Sequence, residues 1–149
     1  MKIKIIKAKK ENIKDIGILF DLYRQFYKYD SNIIESTNFI KERIINNESK
    51  IFLAINKENQ AIGFVQLYET FGSLDLGKII VLYDLYVKKE FRKKNIGRKL
   101  MIRSHKYAKE IKAKRIQLST AIDNFIGQSL YESLGYVKDK DFYTYDLEV

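Results

Sequence analysis

Apolar residues alternate with lysines at Ile3 and Ile5, and Ala8 extends the rhythm, which predicts a short opening strand. From about Glu11 to Tyr29 the period lengthens. Ile13, Ile16, Phe20, Tyr23 and Phe26 or Tyr27 fall on one face of a helix, and a shorter helix around Ser36 to Asn46 uses Phe39, Ile40 and Ile44. Ile51 to Ile55 and Ala61 to Tyr68 predict a hairpin joined by the turn-like Asn56-Lys57-Glu58-Asn59-Gln60. Phe71 to Gly77 breaks the pattern as a loop. Ile79 to Val87 is then a continuous run of β-branched and aromatic residues, the mark of a buried central strand. Helical spacing returns at Ile96, Leu100 and Met101 and continues through Tyr107 and Ala108, with Arg98, Lys99 and Arg103 on the wet face. Arg115 to Thr120 predicts a later strand. Asn124 can cap a helix whose inner face is Gly127, Leu130, Tyr131 and Leu134, Gly135 can end it, and Phe142 to Leu147 predicts a strand that closes the sheet. The order β-α-α-β-β-β-α-β-α-β describes an α/β fold with a central mixed β-sheet flanked by helices. With no linker, repeat or low-complexity segment, residues 1–149 are expected to form a single domain.

Composition removes several classes of function. The chain has no cysteine, which excludes disulfides, thiolate zinc sites and an acyl-cysteine intermediate and suits a reducing compartment. The start MKIKIIKAKK lacks a secretory pattern, and no segment approaches membrane-spanning length, so a soluble, cytoplasmic protein without a membrane partner is expected. The net charge of +9 would suit a polyanion. However, Lys, Ile, Asn and Tyr are abundant while Pro, Trp and Cys are absent, a drift that AT-rich coding produces, so the charge argues little for nucleic acid as a partner. His105 is the only histidine and falls among charged helical residues, which gives neither a metal cluster nor a triad. Ser129 and Ser133 have no histidine at a motif spacing, which disfavours a serine hydrolase.

The candidate chemistry lies where the central strand runs into a basic loop that opens directly into a helix. The first amides of a helix lack intrahelical partners and sit at the positive end of its dipole, so a phosphate there gains hydrogen bonds and a favourable field together. Arg92, Lys93, Lys94 and Arg98 add full charges, and Gly97 removes a side chain where an anion must come close. Asp84 is a second signal. An acid inside an apolar strand is costly unless it is paired, as in a structural salt bridge, or functional.

Arg92-Lys93-Lys94-Asn95-Ile96-Gly97 resembles the acetyl-coenzyme-A signature R/Q-x-x-G-x-G/A of the GCN5-related N-acetyltransferase (GNAT) superfamily. Asn95 stands where the first glycine is usual, and Asn is the non-glycine residue that best tolerates a left-handed backbone. Asn124-Phe125-Ile126-Gly127-Gln128-Ser129-Leu130-Tyr131-Glu132-Ser133-Leu134-Gly135-Tyr136 is similar to the later motif of that family, N-x-x-A-x-x-hydrophobic-Tyr-E-x-x-G-F, with Gly127 for Ala and Tyr136 for Phe. The two motifs occur in the family's order with a strand between them, and the predicted layout matches the GNAT fold over essentially the whole chain.

The resemblance implies an N-acetyltransferase that uses acetyl-CoA as cosubstrate, without a metal, and passes the acetyl group directly to a primary amine in a ternary complex. It implies pantetheine pairing with the main chain of Leu85, Tyr86 and Val87, where the central strand splays at a bulge. Pyrophosphate is expected on the amides of Arg92, Lys93, Lys94, Asn95, Ile96, Gly97 and Arg98, and Asn124 against the pantetheine arm. Tyr131 is expected to protonate the leaving sulfur, and a backbone amide near Leu85 or Tyr86 to meet the oxyanion. An alkylammonium titrates near ~10, so a base must take its proton; Asp84 and Glu69, at the end of the preceding strand, are the candidates. The acceptor wall implied is Tyr23, Tyr27, Glu35, Tyr68, Phe71 and Asp75, whose rings and acids suit a cation. The strand YDLYV and the helix LYRQFY resemble the polyamine and histone-type branch. This points to a polyamine-like small molecule or a lysine-bearing peptide as acceptor, and to a homodimer that shares Phe142 to Leu147. Readings of another class are a catalytically silent acetyl-CoA-binding sensor and a basic nucleic-acid-binding module.

Overall fold

Five strands, β1 (Lys4–Lys7), β2 (Lys50–Ile55), β3 (Ala61–Gly72), β4 (Gly77–Val87) and β5 (Ile116–Leu118), lie side by side in that order. The first four are antiparallel in succession and β5 joins β4 in parallel, which makes the sheet mixed as the apolar pattern predicts. The helices are α1 (Ile13–Phe26), α2 (Ile33–Ile45), α3 (Ile96–Glu110) and α4 (Phe125–Ser133). The computed structural model describes residues 2–149 and divides them into two compact units, one ending at Leu118 and the other spanning Ser119–Val149.

In the first unit, strand alternation sorts side chains between two layers. Ile51, Leu53 and Phe64 join Ile16, Leu19, Phe20 and Ile40 in a core between the sheet and α1 with α2. Phe52 faces the other way, against Tyr107 and Arg103 of α3. Asp21 ties the turn between α1 and α2: its buried carboxylate accepts from Ser31 Oγ at 2.6 Å, Asn32 N at 2.8 Å, Ser36 Oγ at 2.9 Å and Gln25 Nε2 at 2.9 Å. Burial alone would raise that carboxyl, but the four hydrogen bonds outweigh it and hold it below the usual carboxylate range.

Three boundaries differ from the sequence reading. The helix expected from Ser36 begins at Ile33, because Asn32 caps it by accepting from Glu35 N at 3.1 Å. The loop expected over Phe71 to Gly77 shrinks to residues 73–76: Phe71 pairs with Lys78, and Gly72 and Gly77 face each other as the last pair of a long hairpin. The closing strand expected at Phe142 to Leu147 is not formed. A strand exists only through a partner's ladder, and among the described residues these form none, leaving Phe142, Tyr143, Tyr145 and Leu147 exposed. No helix among the described residues is long and apolar enough to cross a membrane.

The second unit is organised by its helix ends. Asn124 Oδ1 accepts from Gly127 N at 3.1 Å and its Nδ2 donates to Thr120 Oγ1 at 3.0 Å. At the other end Gly135, at φ +92°, donates to Glu132 O, and Tyr136 N reaches back to Tyr131 O. These paired bonds form a Schellman turn, which is the stop that Gly135 predicts.

Candidate active site

The site grows from one extra residue. On β3 and β4, Phe64, Val65 and Gln66 pair with Tyr86, Leu85 and Asp84, yet Leu67 pairs with Leu82, so Tyr83 is a one-residue bulge in β4. Without it, neighbouring residues would point to opposite faces. With it, Tyr83 packs its ring edge-on to Tyr68, 5.7 Å between centroids, and Asp84 meets Gln66 on the same α1-facing side.

Asp84 is only 4% exposed, and Gln66 beside it is fully buried. Gln66 Nε2 donates to Asp84 Oδ2 at 2.6 Å, and Gln66 Oε1 in turn accepts from Ser49 Oγ at 2.7 Å. The Tyr23 hydroxyl, carried by α1, lies in reach of both the Asp84 carboxylate and the Tyr83 carbonyl, the latter at 3.2 Å. Burial pushes the Asp84 carboxyl up to about 6, with the donors Gln66 and Tyr23 pulling the other way. Burial and the nearby Asp84 charge raise Tyr23 and Tyr27, and push Tyr68 up to about 12. The result is a carboxyl poised to change charge near neutrality, surrounded by phenols that stay protonated.

Of the six residues expected to form an acceptor wall, Tyr23, Tyr27 and Tyr68 gather around Asp84. Three do not. Glu35 is exposed on the first turn of α2. Phe71, 75% exposed, stands five residues along β3 from Gln66, roughly 17 Å by strand rise, and alternation turns it to the opposite face. Asp75, in the hairpin turn, accepts from Arg115 Nε at 3.1 Å. Glu69 also departs from expectation. It pairs with Lys78 at 3.2 Å and accepts from Tyr107 of α3 at 2.9 Å, on the sheet face opposite Asp84. A three-residue step from Gln66 within one strand is odd, and odd steps change face.

Beyond Leu82, β4 has no ladder to β5, because their register stops at Leu82 and Leu118. Lys88 N donates to Ile62 O, and ladder alternation then turns the main-chain groups of Leu85 and Val87 away from β3 into that opening. The Val87 carbonyl takes Arg92 Nε at 2.9 Å, with the guanidinium 5.4 Å from the ring centres of Phe26 and Tyr86. Thus the Arg92 side chain folds back on β4 and only its main chain belongs to the loop. In that loop Lys93 and Asn95 are left-handed at φ 62° and 61°, and Asn95 makes no side-chain cap to α3. Alternating left-handed residues before an uncapped helix form a concave set of amides that suits a phosphate.

The later motif lies wholly in the second unit. The Asn124 amide is committed to capping, and a Cβ on Gly127 would stand 2.5 Å from Asn124 Nδ2. The Tyr131 ring lies 6.1 Å from that of Tyr136, which is pushed up to about 12 by burial and by Tyr131. Sequence reasoning passed over Gln66, Ser49 and Tyr83. Gln66 carried the same signal as Asp84, a polar residue inside an apolar strand, whereas no residue type announces a bulge.

Residues 17–136 match the acetyltransferase (GNAT) family. An uncharacterized N-acetyltransferase, YhfO, from Bacillus subtilis (strain 168) is 38% identical over 145 residues, 97% of each chain. A solved structure of a probable acetyltransferase is 35% identical, covers 98% of this chain and 97% of its own, and superposes with a TM-score of 0.92. A spermidine N(1)-acetyltransferase from Thermoplasma acidophilum is 27% identical over 153 residues, 91% of each chain. With a family match across most of the chain and a near full-length relative at this identity, the protein belongs to the GNAT family of acetyl-CoA-dependent N-acetyltransferases.

Proposed function

We propose that this acetyltransferase moves the acetyl group of acetyl-CoA directly to a primary amine of a small, polyamine-like cation, with Asp84 as the base. The observation that carries the reading is the buried Asp84 carboxylate, set beside Gln66 and Tyr23 among tyrosine rings. Acetyl-CoA supplies the activated acetyl group. The amides of the loop from Arg92 to Arg98 hold its phosphates, and the outward main chain of Leu85 and Val87 orients its arm. Asp84 takes the ammonium proton, since an ionised acid at pH 7 can accept it while the free amine titrates near ~10. Tyr131 is assigned the proton for the departing thiolate on motif resemblance alone. The rings of Tyr23, Tyr27, Tyr68 and the 66% exposed Tyr83 offer faces to a second positive charge, which favours a polycation over a single amine. The relative named as a spermidine acetyltransferase supports the same class. A homodimer paired through Phe142 to Leu147 is the assembly proposed, and light scattering tests it.

The test combines calorimetric titration with acetyl-CoA and thiol release over a panel of polyamines, aminoglycosides and lysine peptides, from pH 5 to 9. Wild-type activity should rise through about pH 6 as Asp84 ionises. Asp84→Asn should lose on the order of 100-fold or more in kcat with acetyl-CoA affinity kept. Lysine peptides acetylated faster than every polyamine would overturn the substrate class, and an Asp84→Asn enzyme of full activity would overturn the base.

A further inference from the structure

We propose that Gln66 and Ser49 are positioning residues for Asp84, forming a reversible donor–acceptor pair that keeps the carboxyl hydrogen-bonded both before and after it takes a proton. The inference rests on the reading of Asp84 as the base. It is carried by a continuous hydrogen-bonded chain, Ser49 Oγ to Gln66 Oε1 at 2.7 Å and Gln66 Nε2 to Asp84 Oδ2 at 2.6 Å, in which Gln66 and Asp84 are buried and Ser49 is half-buried.

A base meets two requirements that conflict in a dry site. Ionised, it needs donors. Once protonated, its O–H needs an acceptor, and a partner that can only donate is left facing a hydrogen. Gln66 carries both groups on one planar amide. A half-turn of that amide replaces Nε2 with Oε1 opposite the acid and delivers Nε2 to Ser49. The serine hydroxyl, which donates in the observed arrangement, can rotate to accept in the other. No bond in the chain is lost, so a proton can arrive on Asp84 without stranding a buried polar atom. Ser49 also specifies the resting orientation: with its hydroxyl on Oε1, the donor end of the amide is the end aimed at the carboxylate. Tyr23 supplies a second donor from α1 but is raised well above the ordinary tyrosine range.

The other groups facing the site are Tyr27 of α1, Tyr68 of β3 and Tyr83 of β4, with Arg43 of α2 and Glu48 acting on Tyr68. Tyr27 and Tyr68 are likewise raised. Asp84 is therefore the group whose titration the amide would report.

The test follows the Asp84 carboxyl carbon by NMR in the ligand-free protein and the pH profile of kcat/KM with acetyl-CoA and spermidine. Because the amide's bond to the ionised acid is charge-assisted and the stronger of the two, Gln66→Met should move both the carboxyl titration and the acid limb upward by about one pH unit, a roughly fivefold loss at pH 6, with the acetyl-CoA Kd unchanged. Ser49→Ala should move them the same way by less, and Ser49→Thr, which keeps the hydroxyl, should restore the wild-type profile. Because Ser49 precedes β2, its variants test the inference even if Gln66→Met fails to fold. Titration and acid limb unmoved in Ser49→Ala and Gln66→Met, while Asp84→Asn abolishes the limb, would overturn this inference and leave the base standing. An unchanged limb in Asp84→Asn would overturn both.

Discussion

Two buried aspartates in this chain carry opposite pH signatures, and the difference lies in their donors. Asp21 accepts four hydrogen bonds, and its carboxyl sits below the usual range. Its stabilising effect is therefore present above the unfolded value of 3.8 and is lost as pH falls through the lower folded value. Asp21→Ala should cost about 3 kcal/mol at pH 7, because the buried Ser36 hydroxyl and the Asn32 amide lose their acceptor. Urea unfolding measures this directly. Asp84 has fewer donors for its burial and is pushed up to about 6. Its contribution is favourable below about pH 4, while the acid is neutral, and is lost as pH rises through 6. Asp84→Asn should therefore gain up to about 3 kcal/mol over wild type at pH 8 and show little gain at pH 4, even as activity falls. Thermal unfolding at the two pH values distinguishes this from a general change in packing.

At the scale of elements, the loop before α3 depends on backbone shape more than on charge. Lys93 and Asn95 both hold left-handed conformations, which Asn tolerates and a β-branched residue does not. Asn95→Gly should bind acetyl-CoA at least as tightly as wild type. Asn95→Val should cost about 1–2 kcal/mol of stability and weaken acetyl-CoA binding, measured by calorimetry. This loop was legible in the sequence because glycine, asparagine and lysine announce turns and charge at known places relative to a strand and a helix. The α4 stop was legible for the same reason, since Gly135 sits where a left-handed residue must. Of the six residues expected along an acceptor wall, half come together around Asp84. Tyr23, Tyr27 and Tyr68 carry aromatic signals that the fold gathers, whereas Glu35, Phe71 and Asp75 lie on segments whose direction depends on hairpin length and strand parity. Glu69 failed on that parity alone, one face away from Asp84.

The whole molecule is unevenly consolidated. Among the described residues, every strand and the α-helices α1, α2 and α3 lie before Ser119, whereas residues 137–149 form neither helix nor strand and leave Val137, Tyr143 and Val149 almost fully exposed. Trypsin under native conditions should therefore cut first at Lys138 or Lys140, which mass spectrometry of the earliest fragments would identify. Protection of these bonds would mean that the segment is paired with a second chain. The closing strand expected at Phe142 to Leu147 needs a neighbour to pair with, and residue pattern alone does not supply one. The bulge at Tyr83 has a different kind of consequence, because it acts through chain length and not through side-chain chemistry. Deleting Tyr83 would close the bulge and leave Leu82 and Asp84 as successive partners of Leu67 and Gln66, so the acid would keep its face while β4 lost its local bend and the carbonyl that takes the Tyr23 hydroxyl. Substitutions at Tyr83 would leave the count intact. The bend therefore depends on how many residues β4 places between Leu82 and Asp84, and a deletion at Tyr83 would expose that dependence where a substitution scan would pass over it.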